Sequence, residues 1–167
     1  MPKYAKRMKT MEEPANIIKG LFGAMNDPDV ISFGGGAIAK ECLPVDEVRE
    51  ITDQIMTVGG RGYEVLSYGP VIGVKDLREV IVKELLAPKG VKADLDNILV
   101  TSGGLEAMTL MCQLFIEPGE VILVESPTFV HSVETFSMFE ARCVAVEMDD
   151  DGIKTEELEE KIIKYNP

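Results

Sequence analysis

The sequence has little of what several large classes of protein function require. Its 17 lysines and arginines face 29 aspartates and glutamates, a formal net charge of −12 over 167 residues. Such a surface repels polyanions, which argues against a nucleic-acid or anionic-membrane partner. No apolar run approaches the roughly 18 residues of a membrane-spanning helix. The opening MPKYAKRMKTMEEPANIIKG has no apolar signal core. The three cysteines, Cys42, Cys112 and Cys143, are far apart, odd in number and set among apolar neighbours. That pattern is expected of reduced core thiols in a cytoplasmic protein. No CxxC pair or Cys/His cluster points to a metal, and no serine or cysteine has a recognisable base partner for hydrolase chemistry. What is there is 46% apolar and 28% charged, the make-up of a soluble globular domain with a real core.

The most informative stretch runs from Asn97 to Phe129, NILVTSGGLEAMTLMCQLFIEPGEVILVESPTF. Ile98-Leu99-Val100-Thr101 reads as a short apolar strand broken by Ser102-Gly103-Gly104. Leu105, Met108, Leu110, Met111, Leu114 and Phe115 then recur at roughly helical spacing, and Pro118-Gly119 stops the helix. Val121 to Val124 reads as a second buried strand. Two apolar strands joined through a helix predict an α/β fold with a parallel sheet covered on both faces. Glycines at a strand-to-helix junction let an anion approach the unpaired first-turn N–H groups, where the helix dipole favours it. They equally suit a tight turn with no ligand. The turn matches neither G-x-G-x-x-G nor G-x-x-x-x-G-K-[ST], so no dinucleotide or P-loop reading follows.

The remainder of the chain predicts helices over Asn16–Met25, Pro44–Val58, Asp76–Leu86, Val133–Phe139 and Thr155–Lys164, the last capped at Thr155. Arg142–Met148 reads as a further strand and Tyr63–Tyr68 as extended chain. Gly34, Gly35 and Gly36 fit either a close backbone approach or a mobile loop. Tyr68, in Ser67-Tyr68-Gly69-Pro70, can donate a phenolic hydrogen bond or serve as a half-buried structural tyrosine. His131, the sole histidine, lies two residues beyond Phe129 and reads as a solvated or core residue. Asp149-Asp150-Asp151-Gly152 lacks the alternating ligands of a calcium loop and reads as an acidic turn.

Four blocks in order, SYGP-x-x-G-x-x-x-LRE, ILVTSGG-x-EA, EPGE-x-x-x-VESPTF and DDDGI-x-x-x-x-LE, resemble the fold-type I pyridoxal-phosphate aminotransferases. The resemblance is strongest to the branch of the 2-aminoadipate and kynurenine aminotransferases and of aminotransferase-like domains in bacterial regulators. It covers about Ile31 to Tyr165. It implies the N-terminal portion of the aminotransferase fold, an incomplete three-layer α/β/α sheet. The expected division is an N-terminal arm over 1–30, a partial small domain with connecting helices over 31–95, and the first part of the cofactor-binding large domain over 96–167.

The resemblance also implies roles. Gly103, Gly104 and Leu105 stand where relatives carry glycine, serine and glutamine around the phosphate of pyridoxal 5'-phosphate. The backbone donors survive; the hydroxyl and carboxamide donors do not. Phe129 matches the aromatic that stacks on the cofactor ring. Tyr68 matches the tyrosine that reaches the cofactor phosphate of a partner subunit, and Gly34 and Gly35 match a stretch lying against the substrate. Ile18, with Lys19 beside it, stands where many relatives place a carboxylate-binding arginine. No lysine sits in a Ser-x-Ser-Lys or Ser-x-x-Lys setting, and the motif that would carry the catalytic groups is not among these residues. The implied function is therefore that of an N-terminal piece of an aminotransferase, inactive alone, with no catalytic residue and weak or absent cofactor binding. The full-length relative would move an amino group from an amino acid to a 2-oxo acid. A homo-oligomer is expected, because the strand at Ile98 lacks its family neighbours while those at Val121 and Cys143 lie together. The alternative is a non-catalytic binding or regulatory aminotransferase-like module.

Overall fold

The computed structural model describes residues 3–25, 29–31, 33, 36 and 38–167, of which positions 10, 11, 13, 14, 21, 22, 24 and 25 are described by backbone alone. It falls into two units, residues 1–35 with 102–167, and residues 36–101. A 3-10 turn over Lys6–Met11 leads into α1 (Glu12–Met25).

Unit 36–101 is helical. Helix α2 (Val45–Met56) starts with Asp46 and Glu47 in its first turn, where they complement the helix dipole. It ends just before Gly59, which takes φ 82°. Its apolar stripe is bare, Val45 being 68% exposed and Val48 57%. The expected extended chain after it is corrected: residues 62–65 form a short helix, α3 (Gly62–Val65). Arg61 Nε donates to Glu64 at 2.8 Å and its Nη1 to Asp76 at 2.9 Å, while Ser67 Oγ donates to the Tyr63 carbonyl at 2.6 Å. These local bonds outweigh the strand preference of Tyr63 and Val65. Helix α4 (Lys75–Val80) runs on as π-type turns over Ile81–Leu86 and stops at Gly90, in the left-handed region at φ 73°.

Two residues of the SYGP-x-x-G-x-x-x-LRE block hold this unit together. Gly73 sits at φ 97°, and a Cβ there would lie 2.5 Å from Val100 Cγ2. Arg78 is buried and donates through Nε to the Gly73 carbonyl at 3.2 Å and through Nη1 to the Leu95 carbonyl at 2.7 Å. The strand expected at Ile98–Thr101 is corrected as well. The segment joins no sheet, and Val100 N–H donates to the Ile72 carbonyl at 3.2 Å.

Unit 1–35 with 102–167 holds the sheet. Helix α5 (Gly104–Phe115) is followed by a reversal, β1 (Val121–Ser126), α6 (Val130–Met138), β2 (Arg142–Asp149), β3 (Gly152–Ile153) and α7 (Thr155–Tyr165). β1 and β2 pair in parallel from Val121↔Arg142 to Ser126↔Glu147, as expected for the strands at Val121 and Cys143. The acidic turn then sends the chain back into β3, antiparallel to β2. Asp151 N–H is held by Asp149 Oδ1 at 2.9 Å, and Gly152 takes φ 125°. The Lys6–Met11 turn, α1 and α5 all pack on α6. Val146, fully buried, and Cys112, 3% exposed, centre the core of this unit. Burial pushes the Cys112 and Cys143 thiols above their usual range. Cys42, by contrast, is exposed, a correction to the expectation of three core thiols.

Helix α7 is stitched to β2 by charge. Glu157 Oε2 accepts the Glu147 N–H at 2.8 Å, and Lys161 Nζ bridges Glu157 Oε1 and the Ala145 carbonyl. Lys154 Nζ reaches Glu147 Oε2 at 2.7 Å. The cap expected at Thr155 is Lys154, with no side-chain capping bond. The Glu147 side chain is already taken by Lys154, and Thr155 Oγ1 turns instead to Glu156 at 3.4 Å.

Candidate functional site

Two features of the sheet unit stand out, the start of α5 and the residues that follow β1. A turn between α5 and β1 is closed by Glu120 N–H donating to the Glu117 carbonyl at 3.1 Å. In open α/β sheets ligands bind outside the carboxyl ends of the strands.

The first feature is the turn into α5. Gly103 caps the helix at φ 91° and ψ 173°, a conformation that disfavours any residue with a Cβ. Among the described residues, a Cβ at Gly103 or Gly104 would meet no atom within 4 Å. The first intrahelical bond runs from Ala107 N–H to the Gly103 carbonyl at 3.4 Å, which leaves the N–H groups of Gly104, Leu105 and Glu106 outside the helix ladder. Leu105, 43% exposed, adds an apolar side chain and no further donor. The Glu106 carboxylate reaches back to accept the Ser102 N–H. This is one half of a capping box, shifted by a residue, whose other half is missing because the cap is a glycine.

The second feature is Phe129, which follows β1 through Pro127-Thr128 and caps α6. Its ring is 57% exposed. His131 stands against it edge-on, with centroids 5.1 Å apart and planes at 65°. His131 Nδ1 lies 3.2 Å from Glu134 Oε2, both side chains being under 30% exposed. The contact of His131 with Glu134 has a signal in the sequence, the His-x-x-Glu spacing on a helix, which puts both on one face.

The other expected residues are placed less tellingly. Tyr68 belongs to unit 36–101 and its side chain is fully exposed. Gly34 and Gly35 lie outside the described residues. Ile18 is half-buried on α1 and Lys19 is exposed. No group of acidic, histidine and cysteine side chains among the described residues is arranged to hold a metal ion.

These features meet in part what a phosphorylated aromatic ligand needs. The turn offers backbone donors and the positive end of a 12-residue helix, and Phe129 offers a flat face. Gly103, Gly104 and Leu105 bring no side-chain donor, and the Glu106 carboxylate places a negative charge beside the helix start.

A family model for aminotransferase class I and II matches residues 28–166. The chain belongs to that family. It is 31% identical over 154 residues to aromatic-amino-acid aminotransferase 1 of Thermococcus litoralis, covering 92% of this chain and 36% of that protein. It is 27% identical over 153 residues to 2-aminoadipate transaminase of Thermus thermophilus, again covering 92% of this chain and 36% of the relative. Among solved structures, Pyrococcus horikoshii kynurenine aminotransferase in complex with PMP superposes with a TM-score of 0.80 at 30% identity, covering 96% of this chain and 39% of that one. The family is the one the ordered motifs pointed to, and the fold is the matching portion of the aminotransferase α/β fold. The chain spans little more than a third of the length of the curated relatives it matches.

Proposed function

We propose that this chain supplies the phosphate turn and the ring platform of a pyridoxal-phosphate aminotransferase and catalyses no amino transfer by itself. Gly103, Gly104 and Leu105 would hold the cofactor phosphate through backbone N–H groups. Phe129 would stack on the ring. Tyr68 would reach the phosphate in a partner subunit, and Gly34 and Gly35 would border the substrate. The cofactor, when bound, supplies an electron sink for bonds at the amino-acid carbon. In this reading residues 1–30 are an arm, 31–95 part of a small domain and 96–167 the beginning of the cofactor domain, working in a cytoplasmic homo-oligomer. The substrates of the whole enzyme would be an amino acid and a 2-oxo acid.

The observation that carries this reading is the glycine-capped start of α5 together with the exposed Phe129 after β1, in one unit of a chain of this family. Each hydrogen bond to a charged group contributes about 1.5–3 kcal/mol, so losing the hydroxyl and carboxamide donors leaves weak binding. No lysine stands in a Ser-x-Ser-Lys or Ser-x-x-Lys setting, so the attachment should be non-covalent. Borohydride reduction with stoichiometric pyridoxal phosphate, followed by intact mass, tests this. The expected result is scattered, low labelling of surface lysines. A single stoichiometric adduct at one lysine, with transaminase turnover, would overturn it.

A further inference from the structure

His131 lies half-buried against an exposed aromatic ring, and nothing in the reading above uses it. Three contacts fix it. Its carbonyl accepts Thr135 Oγ1 at 2.9 Å, and Thr135 is buried. Its Nδ1 faces the Glu134 carboxylate at 3.2 Å, one turn further along α6. Its ring and that of Phe129 meet with centroids 5.1 Å apart, in the T-shaped arrangement that aromatic quadrupoles favour. A carboxylate accepts hydrogen bonds and cannot donate them when ionised, so Glu134 selects the tautomer with the proton on Nδ1. The imidazole is then locked in orientation, as a histidine is when a carboxylate holds its second nitrogen.

Phe129 sits at the junction of loop and helix, where a 57% exposed ring would otherwise sample several rotamers. A T-shaped neighbour restricts that motion while more than half of the Phe129 surface stays accessible. We propose that His131, clamped by Glu134, is a positioning residue for Phe129, holding the ring in the orientation in which its open face receives a flat aromatic ligand. This rests on the reading of Phe129 as the cofactor-ring platform. The phosphate turn at Gly103 is a separate feature, so the effect is confined to the ring end of the ligand.

His131 is the only histidine in the chain, so its ring resonances are assigned without ambiguity. In the unliganded protein, Phe129→Leu should return a ring-current-shifted His131 resonance to its ordinary position. Glu134→Leu, which removes the acceptor, should lose the Nδ1-protonated ¹⁵N signature. Calorimetry then compares pyridoxal phosphate with inorganic phosphate. His131→Ala should bind pyridoxal phosphate about threefold more weakly, within the range an aromatic pair contributes, and inorganic phosphate unchanged. His131→Phe, which restores a ring edge, should recover most of the loss. A His131 resonance indifferent to Phe129→Leu, or equal pyridoxal phosphate affinity in wild type and His131→Ala, would overturn the proposal. If wild type binds no pyridoxal phosphate, the cofactor reading fails, and the resonances alone then decide whether His131 orients the ring.

Discussion

Ile98-Leu99-Val100-Thr101 and Val121-Ile122-Leu123-Val124 are nearly interchangeable as sequences, yet the second is a strand and the first is not. Val121–Ser126 has a parallel partner, Arg142–Glu147, matched residue by residue and delivered by α6. Ile98–Thr101 is extended but is tied at Val100 to Ile72, and Leu99 is 53% exposed where Val121 to Val124 are half-buried. Strand formation is decided by what lies alongside; β propensity fits a residue to a pleated surface but does not supply the surface. The contrast reaches the site. The proposed ring platform at Phe129 follows the paired strand, whereas the proposed phosphate turn at Gly103 follows the segment that joins no sheet.

The contrast can be broken at its anchor. Gly73→Ala puts a Cβ 2.5 Å from Val100 Cγ2 in a left-handed conformation. It should cost unit 36–101 about 3 kcal/mol in urea unfolding, the sum of backbone strain and overpacking. The paired side is tested by Val146→Ala, which empties a fully buried position on β2 and should cost about 2 kcal/mol. Leu99→Ala, in the unpaired segment, should cost under about 1 kcal/mol. Equal losses for these two would mean that Ile98–Thr101 is as well packed as β2.

A pH experiment sharpens the same point on the paired side. Lys161 and the Glu147 N–H hold the Glu157 carboxyl below its ordinary value of 4.5. A carboxyl depressed on folding contributes stability above its unfolded value, and that contribution is lost as pH falls through the lower, folded value. The protection factor of the Glu147 amide should therefore fall as the pH drops below the ordinary carboxylate range, and Glu157→Gln should abolish that acid-dependent step. The smallest effect is expected at the turn. Glu106→Gln keeps an oxygen to accept the Ser102 N–H but removes the charge, so inorganic phosphate should bind about two- to fivefold more tightly, the scale of a charge at a helix terminus. Weaker binding would show that the carboxylate shapes the turn rather than repelling the ligand.

Much of this was legible in the sequence. Periodicity located α1, α2, α5 and α7, apolar runs located β1 and β2, and the glycine pair located the start of α5. What escaped depends on contacts that no spacing encodes. The short helix at Gly62–Val65 rests on a charge staple from Arg61 to Asp76, distant in sequence. The Ile98 segment carries strand residues but pairs with no neighbour in a sheet. At the site, Gly103 and Phe129 were visible as residue types at a junction. The reach of Glu106 to Ser102 and the T-shaped contact of His131 with Phe129 are rotamer choices, settled only once the helices are in place.

Amide hydrogen exchange with and without pyridoxal phosphate tests the central claim most directly. Without ligand, the β1 amides that face β2 should be protected and that of Leu99 should exchange rapidly. Added pyridoxal phosphate should slow exchange at Gly104, Leu105 and Glu106 and leave β1 unchanged. Strong protection of the Leu99 amide in the free chain would contradict the strand comparison, and ligand-induced protection confined to residues away from the α5 turn would contradict the site.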